Sequence, residues 1–332
     1  MRWGLIGASN IAADHMIGAL RAGGGTMHSV LSSSADRARD YAARHGVESA
    51  CSDLDQMLDD PDLDAVYIST TNEKHFAQAM AAIKAGKHVL CEKPLAMSVS
   101  DAVTMVRAAE QAGLVFATNH HLRNAGSHLA IRDLVQSGRL GEVLSLRVFH
   151  AVYLPPHLQG WRVDNPAAGG GVIPDITVHD ADTVRFHLGE DPVSVVAMAT
   201  QSGLGKGVED SVMSVWQMPS GTQVQAHESF THRFAGSGVE IHGTKGSVIA
   251  RNVMTQQPVG QIELRIEGGV EAIEFSDHNL YERAVGLFAD AVAGKGRPAA
   301  DGRDGICSLA IAMAVAEAAR SGRRTDVDYG GI

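Results

Sequence analysis

The sequence predicts an α/β protein in two parts. A doubly wound parallel sheet spans about residues 1–120, and residues 121–332 form an α+β domain on an open, largely antiparallel sheet. Three observations predict it. An apolar run at the start breaks at a glycine and gives way to helical periodicity. Short apolar strands then alternate with helical stretches as far as about residue 120. Beyond that point strands follow one another with few helices between them.

Trp3, Leu5 and Ile6 make the apolar run of a buried central strand. Gly7 ends it, and Ala12, Met16, Ala19 and Leu20 mark one face of the helix that follows. Strand, tight glycine turn and helix are the phosphate end of a dinucleotide-binding Rossmann unit. The first glycine makes the turn, the second admits the pyrophosphate, the third packs helix on strand, and the helix N-terminus offers N–H groups to the anion. The fingerprint reads Gly7-Ala8-Ser9-Asn10-Ile11-Ala12, with Ser9 in the second place and the permitted alanine in the third. As a bare motif it is weak. Its place at an N-terminal strand–turn–helix favours a cofactor over an ordinary turn.

Met27 to Leu31 reads as the second strand, running out into Ser32-Ser33-Ser34. Ser34 caps a helix from Ala35 to about Arg44 that Gly46 closes. A short helix over 53–58, a buried strand over 65–70, a helix over 73–85, a strand over 88–91, a helix over 101–112 and a strand over 115–118 continue the alternation. Strands apolar on both sides imply a parallel sheet covered on both faces. A helix over 127–136 and an unusually long strand over 142–153 open the second part. Strands over 193–199, 211–217, 222–230 and 238–242 follow. Two alanine-rich helices, 280–292 and 305–319, close the chain and are free to pack back on the first domain.

With 45% hydrophobic and 20% charged residues, the 332-residue chain has the composition of a soluble globular protein. A net charge of −10 without a basic run argues against a nucleic-acid surface. No apolar stretch is long enough to span a membrane. The first strand begins at once, leaving no room for a signal peptide. Cys51, Cys91 and Cys307 form no CxxC pair, as expected of reduced thiols in a cytoplasm.

Two segments carry groups suited to chemistry. Glu92-Lys93-Pro94 lies just past a parallel strand, where open sheets bind ligands. A lysine there can hold or protonate a carbonyl oxygen, against the alternative of a solvated loop residue. The second segment is Gly169-Gly170-Gly171 followed by Asp175, His179, Asp180 and Asp182. On a helix, Asp175 and His179 share a face as a proton-handling pair; a capping role for Asp175 is the alternative. One histidine among aspartates has no accepted metal-ligand spacing, so no metal is expected. Between these segments lie Asn119-His120-His121-Leu122-Arg123-Asn124 and the run from Tyr153 to Arg162, too turn-rich for a helix. Its aromatics and Arg162 make either a wall over a sugar or a packing loop.

The end of the second strand bears on the cofactor. NAD-selective units place an acid there to accept from the ribose 2′-OH. This chain has Ser32-Ser33-Ser34 instead, and Asp36 falls inside the next helix beside Arg37. Hydroxyls and a guanidinium suit a 2′-phosphate, so NADPH is expected over NADH.

With these motifs, and with Asp62-Leu63-Asp64-Ala65-Val66-Tyr67-Ile68 and Ile241-His242-Gly243-Thr244-Lys245-Gly246-Ser247, the chain resembles the glucose–fructose oxidoreductase / inositol dehydrogenase family over nearly its whole length. The segments from Val148 to Arg162 and from Arg251 to Gln256 are similar to a bacterial subgroup that reduces the 2-keto group of a small cyclic sugar with NADPH. The resemblance implies Lys93, Asp175 and His179 as the catalytic residues. It implies a cofactor site of Gly7, Ser9, Asn10, Ile11, Ala12, Ser32, Ser33, Arg37, Thr70, Thr71, Asn72, His75, Glu92, Lys93, Asn119, Trp161 and Arg162. A substrate site of His120, Tyr153, Arg162, Asp175 and His179 is implied as well. Pro174, directly before Asp175, departs from the family pattern. The expected partner is a small keto-sugar, and the expected assembly is a monomer or a homo-oligomer through the open sheet. Another sugar or cyclitol dehydrogenase, or a non-catalytic dinucleotide sensor, are the rival readings; the presence of Lys93 and His179 disfavours the sensor.

Overall fold

β1 (Arg2–Ile6), β2 (Thr26–Leu31), β3 (Ser49–Cys51), β4 (Ala65–Ile68), β5 (His88–Cys91) and β6 (Phe116–Thr118) form one six-stranded sheet in the order 3-2-1-4-5-6. Every pair is parallel. Trp3, Leu5, Ile6, Val66, Tyr67 and Ile68 are buried, because helices cover both faces of such a sheet. The computed structural model describes residues 1–332. In it the chain divides into two units, Met1–His121 with Tyr281–Ile306, and Leu122–Leu280 with Cys307–Ile332.

The first unit is the doubly wound domain expected. Ser34 caps the helix Ala35–His45 by accepting from Arg37 N–H, and Gly46 ends it. The returning segment 281–306 adds to this unit: Phe288 packs on Trp3 with ring centroids 5.2 Å apart, and Tyr281 stacks on His15 and His121.

The second unit holds β7 (Val143–Ala151), β8 (Ser194–Thr200), β9 (Ser211–Gln217), β10 (Gln223–Ser229), β11 (Ser237–Gly243), β12 (Gly246–Arg251), β13 (Gln261–Ile266), β14 (Gly269–Ala272) and β15 (Thr325–Asp326). They form a nine-stranded sheet in the order 14-13-12-11-7-10-9-8-15. Its pairs are antiparallel apart from β7 with β10. Alternate residues such as Leu146, Val148, Trp216, Val224 and Ile241 join one core with Ile131, Val178, Val184 and Val315 from the helices. The opposite positions, among them Val196, Met198, Met213 and Val215, are exposed, as period-2 alternation requires of a sheet covered on one side.

Two details differ from the sequence expectation. The run Tyr153–Arg162 is not free of helix: Pro156–Gln159 and Trp161–Asp164 are single helical turns, the first begun by a proline whose fixed φ suits that position. β3 and β12–β15 were not anticipated; they are short or lie near the sheet's edges.

Beneath the helix Val178–Leu188 lies a buried acid pair. Asp180 and Glu228 are fully buried and hydrogen-bond one another, while Asp180 Oδ1 lies 2.9 Å from His150 Nδ1. A proton held between the carboxyls is what pairs them, since two anions cannot share a dry site. Burial, with the Asp180 charge adding to it, pushes Glu228 well above its ordinary range. The Thr177 hydroxyl and the Glu228 backbone N–H also reach the Glu228 carboxyl and oppose the rise. The folded state therefore keeps a proton that the unfolded chain releases above about pH 4.5, and this contribution to stability declines as pH rises. In Glu228→Gln the amide donates permanently. Its melting temperature should gain on the wild type between pH 5 and pH 8, by up to about 1.4 kcal/mol of stability per pH unit. A gap independent of pH would contradict the shared proton.

Candidate active site

In the first unit, five groups of expected site residues stand at the carboxyl ends of strands of one sheet. Gly7 and Ser9 follow β1, Ser32 and Ser33 follow β2, Thr70 to Asn72 follow β4, Glu92 and Lys93 follow β5, and Asn119 follows β6. Strand order reverses between β1 and β4, which is where open sheets of this kind bind ligands.

Gly7 sits at φ +117°, and a Cβ there would lie 3.1 Å from the Ser69 carbonyl carbon and oxygen. Only glycine makes this turn without displacing the backbone at the end of β4. Ser9 Oγ accepts from Ala12 N–H at 3.2 Å and hydrogen-bonds Ser69 Oγ at 2.7 Å, tying the two strand ends together. The helix that follows opens with a π-helical stretch, Ala12–Met16. Its leading N–H groups have no intrahelical acceptor and, with the helix dipole, favour an anion.

Arg37 donates from Nη2 to the Ala8 carbonyl at 2.8 Å, and Tyr41 Oη donates to Ser9 O at 2.9 Å. A guanidinium is thus fixed to the glycine turn itself. Asp36 is highly exposed and pairs with Arg39. This end of β2 offers hydroxyls and a positive charge, with no acid among Ser32, Ser33 and Ser34.

The lysine segment is held from two sides. Glu92 Oε1 accepts from Tyr67 Oη and from Asn119 Nδ2, the latter at 2.6 Å. The Lys93–Pro94 peptide is cis. His75 is fully buried, with Nδ1 2.8 Å from Pro94 O and Nε2 3.2 Å from Thr70 O. Burial lowers its pKa, and a neutral ring, with a single N–H, donates to one of these two carbonyls at a time while lying between the loops after β4 and β5. Thr70 Oγ1 donates to Gln78, and Thr71 Oγ1 to Glu73. Asn72 is buried at the start of the turn Asn72–Lys74.

The second unit brings together Trp161, Arg162 and Asp175. The Arg162 guanidinium lies over the Trp161 ring at 4.7 Å, and its Nε is 3.4 Å from Asp175 Oδ2. Asp175 lies in a π-helical stretch, Ile173–Thr177, that runs directly into the helix carrying His179. Pro174 is accommodated because the first positions of a helix need no intrahelical N–H. His179 is buried. The Tyr153 ring is covered by the Arg233 guanidinium at 3.4 Å.

The neighbouring aspartates have other partners. Asp182 takes Arg123 through two oxygens at 2.7 and 2.8 Å, a buried bidentate pair. Asp180 belongs to the pair with Glu228. His120 is buried in the first unit. Sequence reasoning missed Tyr67, which anchors Glu92, and His150 and Glu228, which meet only through the β7–β10 register. It also missed Glu209, whose acidic neighbour Asp210 gave no signal of a role.

Residues 1–120 match the oxidoreductase family with an NAD-binding Rossmann fold, and residues 128–249 match the GFO/IDH/MocA C-terminal domain. The chain is 54% identical over 330 residues, 99% of each chain, to 1,5-anhydro-D-fructose reductase of Ensifer adhaerens. It is 32% identical to dTDP-3,4-didehydro-2,6-dideoxy-alpha-D-glucose 3-reductase of Saccharopolyspora spinosa, covering 97% of this chain and 98% of that one. A solved aldose-aldose oxidoreductase from Caulobacter crescentus, complexed with glycerol, shares the fold at TM-score 0.90 and 24% identity, over 98% of this chain and 99% of that one. This chain therefore belongs to the GFO/IDH/MocA family of oxidoreductases, with that family's NAD(P)-binding Rossmann domain at its N-terminus.

Proposed function

We propose that this chain is a cytoplasmic, NADPH-dependent reductase of small cyclic keto-sugars, converting 1,5-anhydro-D-fructose to 1,5-anhydro-D-mannitol. The observation that carries the reading is the 54% identity, spanning 99% of both chains, to a 1,5-anhydro-D-fructose reductase. Residues 1–120 bind the dinucleotide and residues 121–332 the sugar. Gly7, Ser9, Asn10, Ile11 and Ala12 hold the pyrophosphate, and Ser32, Ser33 and Arg37 hold the 2′-phosphate. The three free cysteines suit a reducing compartment.

NADPH, when bound, supplies the hydride. The chain's own residues manage the oxygen. Lys93, fixed through Glu92 and the His75 clasp, polarises the ketone with its Nζ charge. As the carbonyl carbon gains the hydride, the C=O π pair becomes an alkoxide, and His179 or Lys93 delivers the proton that makes it a hydroxyl. Asp175 orients His179 or accepts from a sugar hydroxyl, and Arg162 holds Asp175 in place. Incubation with NADPH and 1,5-anhydro-D-fructose, followed by chromatography, should give 1,5-anhydro-D-mannitol. Recovery of unreacted ketose, or of the epimeric alcohol, would refute the assignment.

Arg162 and Trp161 supply a second check. Arg162→Ala should raise KM for the keto-sugar more than KM for NADPH, because its ion pair is to Asp175 in the proposed sugar site. A rise confined to the cofactor KM would move this run to the dinucleotide site.

A further inference from the structure

The helix that carries Asp175 and His179 starts in an unusual way, and its backbone N–H groups can be traced one by one. Gly171 N–H donates to Arg162 O at 2.8 Å and Val172 N–H to Glu209 O at 3.0 Å. Ile173 N–H donates to the Glu209 carboxylate, Oε1, at 3.1 Å. The next residue is Pro174, which has no N–H to place. The leading donors that a helix cannot satisfy itself are thus met from outside, two of them by one residue 36 positions along the chain.

Glu209 fits this place closely. A Cβ on Gly171, which sits at φ +117°, would lie 2.3 Å from Glu209 Oε1, so the glycine is what lets the carboxylate reach the helix start. The loop bearing Glu209 is itself fixed. Asp210, its neighbour, accepts from Ser202 N and Oγ and from the N–H groups of Gly203, Leu204 and Gly205, at 2.6 to 2.9 Å. Burial pushes Asp210 up, but these donors outweigh it and hold the carboxyl at about 2. Lys206 N–H donates to Val163 O at 2.7 Å, which ties the same loop to the turn bearing Arg162. Burial, with Asp210 beside it, raises the Glu209 pKa; Oε1 can accept from Ile173 whether the carboxyl is charged or neutral.

We propose that Glu209 is a positioning residue: its carboxylate and carbonyl cap the helix start at Val172 and Ile173, and so set where Asp175 and His179 stand. The proposal rests on the reading of those two residues as the proton-handling pair. It accounts for Gly171 and Pro174 together, since one makes room for the cap and the other removes a donor the cap would have to meet.

Two measurements on Glu209→Ala and Glu209→Gln test it. In Glu209→Ala, amide exchange at Ile173, whose acceptor is the carboxylate, should quicken about tenfold, while Val172 keeps its backbone acceptor. kcat should fall at least about tenfold, as expected when catalytic groups lose their placement, with the Kd for NADPH within about threefold of wild type. Glu209→Gln keeps an acceptor oxygen of the same reach and should hold both quantities within about threefold. Unchanged exchange in Glu209→Ala would show that the carboxylate does not hold the helix. Lost protection with unchanged kcat would show a merely structural cap. Either overturns the proposal, as would a glutamine variant as impaired as the alanine one. His179→Ala, run alongside with Glu209 intact, separates the two failures: full turnover there condemns the catalytic reading, whereas its loss beside an active Glu209→Ala condemns the positioning role.

Discussion

Replacing His179 or Lys93 with alanine should lower kcat by about 10²-fold or more, the usual size of a general acid–base contribution. The two variants should differ in character. Loss of His179 removes the proposed proton donor while leaving the glycine turn, Arg37 and the lysine loop untouched, so its Kd for NADPH should stay near the wild-type value. Loss of Lys93 removes a charge from the loop that Tyr67, Asn119 and His75 hold in place. Stopped-flow nicotinamide absorbance with saturating sugar separates the chemical step from product release. If only one variant is crippled, that residue is the terminal donor. Near-normal turnover in both would remove the catalytic assignment altogether.

Arg37→Ala should bind NADPH roughly tenfold to a hundredfold more weakly, the effect of losing a charge-assisted contact of about 1.5–3 kcal/mol. The side chain also bonds Ala8 O in the glycine turn, so some loss of affinity common to NADPH and NADH will accompany it. The ratio of the two Kd values is therefore the quantity to read, and it should collapse toward unity. Arg37→Lys keeps the charge but not the planar fork and should fall between. Fluorescence titration of both cofactors decides it. Equal wild-type affinities, or a variant that weakens both cofactors alike, would place the selectivity elsewhere.

The first sheet was legible because its central strands are buried on both faces. Trp3-Gly4-Leu5-Ile6 and Ala65-Val66-Tyr67-Ile68 are continuous apolar runs with glycine turns and helical periodicity between them. The far side of the second sheet was not. β14 is exposed at all four of its residues, and β3, the edge strand of the first sheet, has only three residues, so neither carries a hydrophobic signature. Pro155-Pro156 and Gly160 read as turns, yet a proline opens one single-turn helix and the glycine precedes the other. Motifs local in sequence, such as Gly7–Ala12, Glu92–Pro94 and Asp175–His179, stand out as candidates in the sequence itself. Partners made by long-range register do not. Glu228 lies beside His150 only because β10 runs parallel to β7, an exception in an otherwise antiparallel sheet. Glu209 reaches Ile173 only through the loop that Asp210 gathers.

The central claim, an NADPH-dependent reduction of a cyclic keto-sugar, is tested most directly by the initial rate of nicotinamide oxidation with 1,5-anhydro-D-fructose, measured with NADPH and NADH in parallel. Saturable turnover is expected with NADPH and, at equal concentrations, a kcat/KM for NADH at least about tenfold lower. Binding of NADPH without any oxidation across a panel of keto-sugars would contradict it and favour a dinucleotide sensor. Activity confined to NAD⁺ with cyclitols or aldoses would contradict it in favour of an oxidative dehydrogenase.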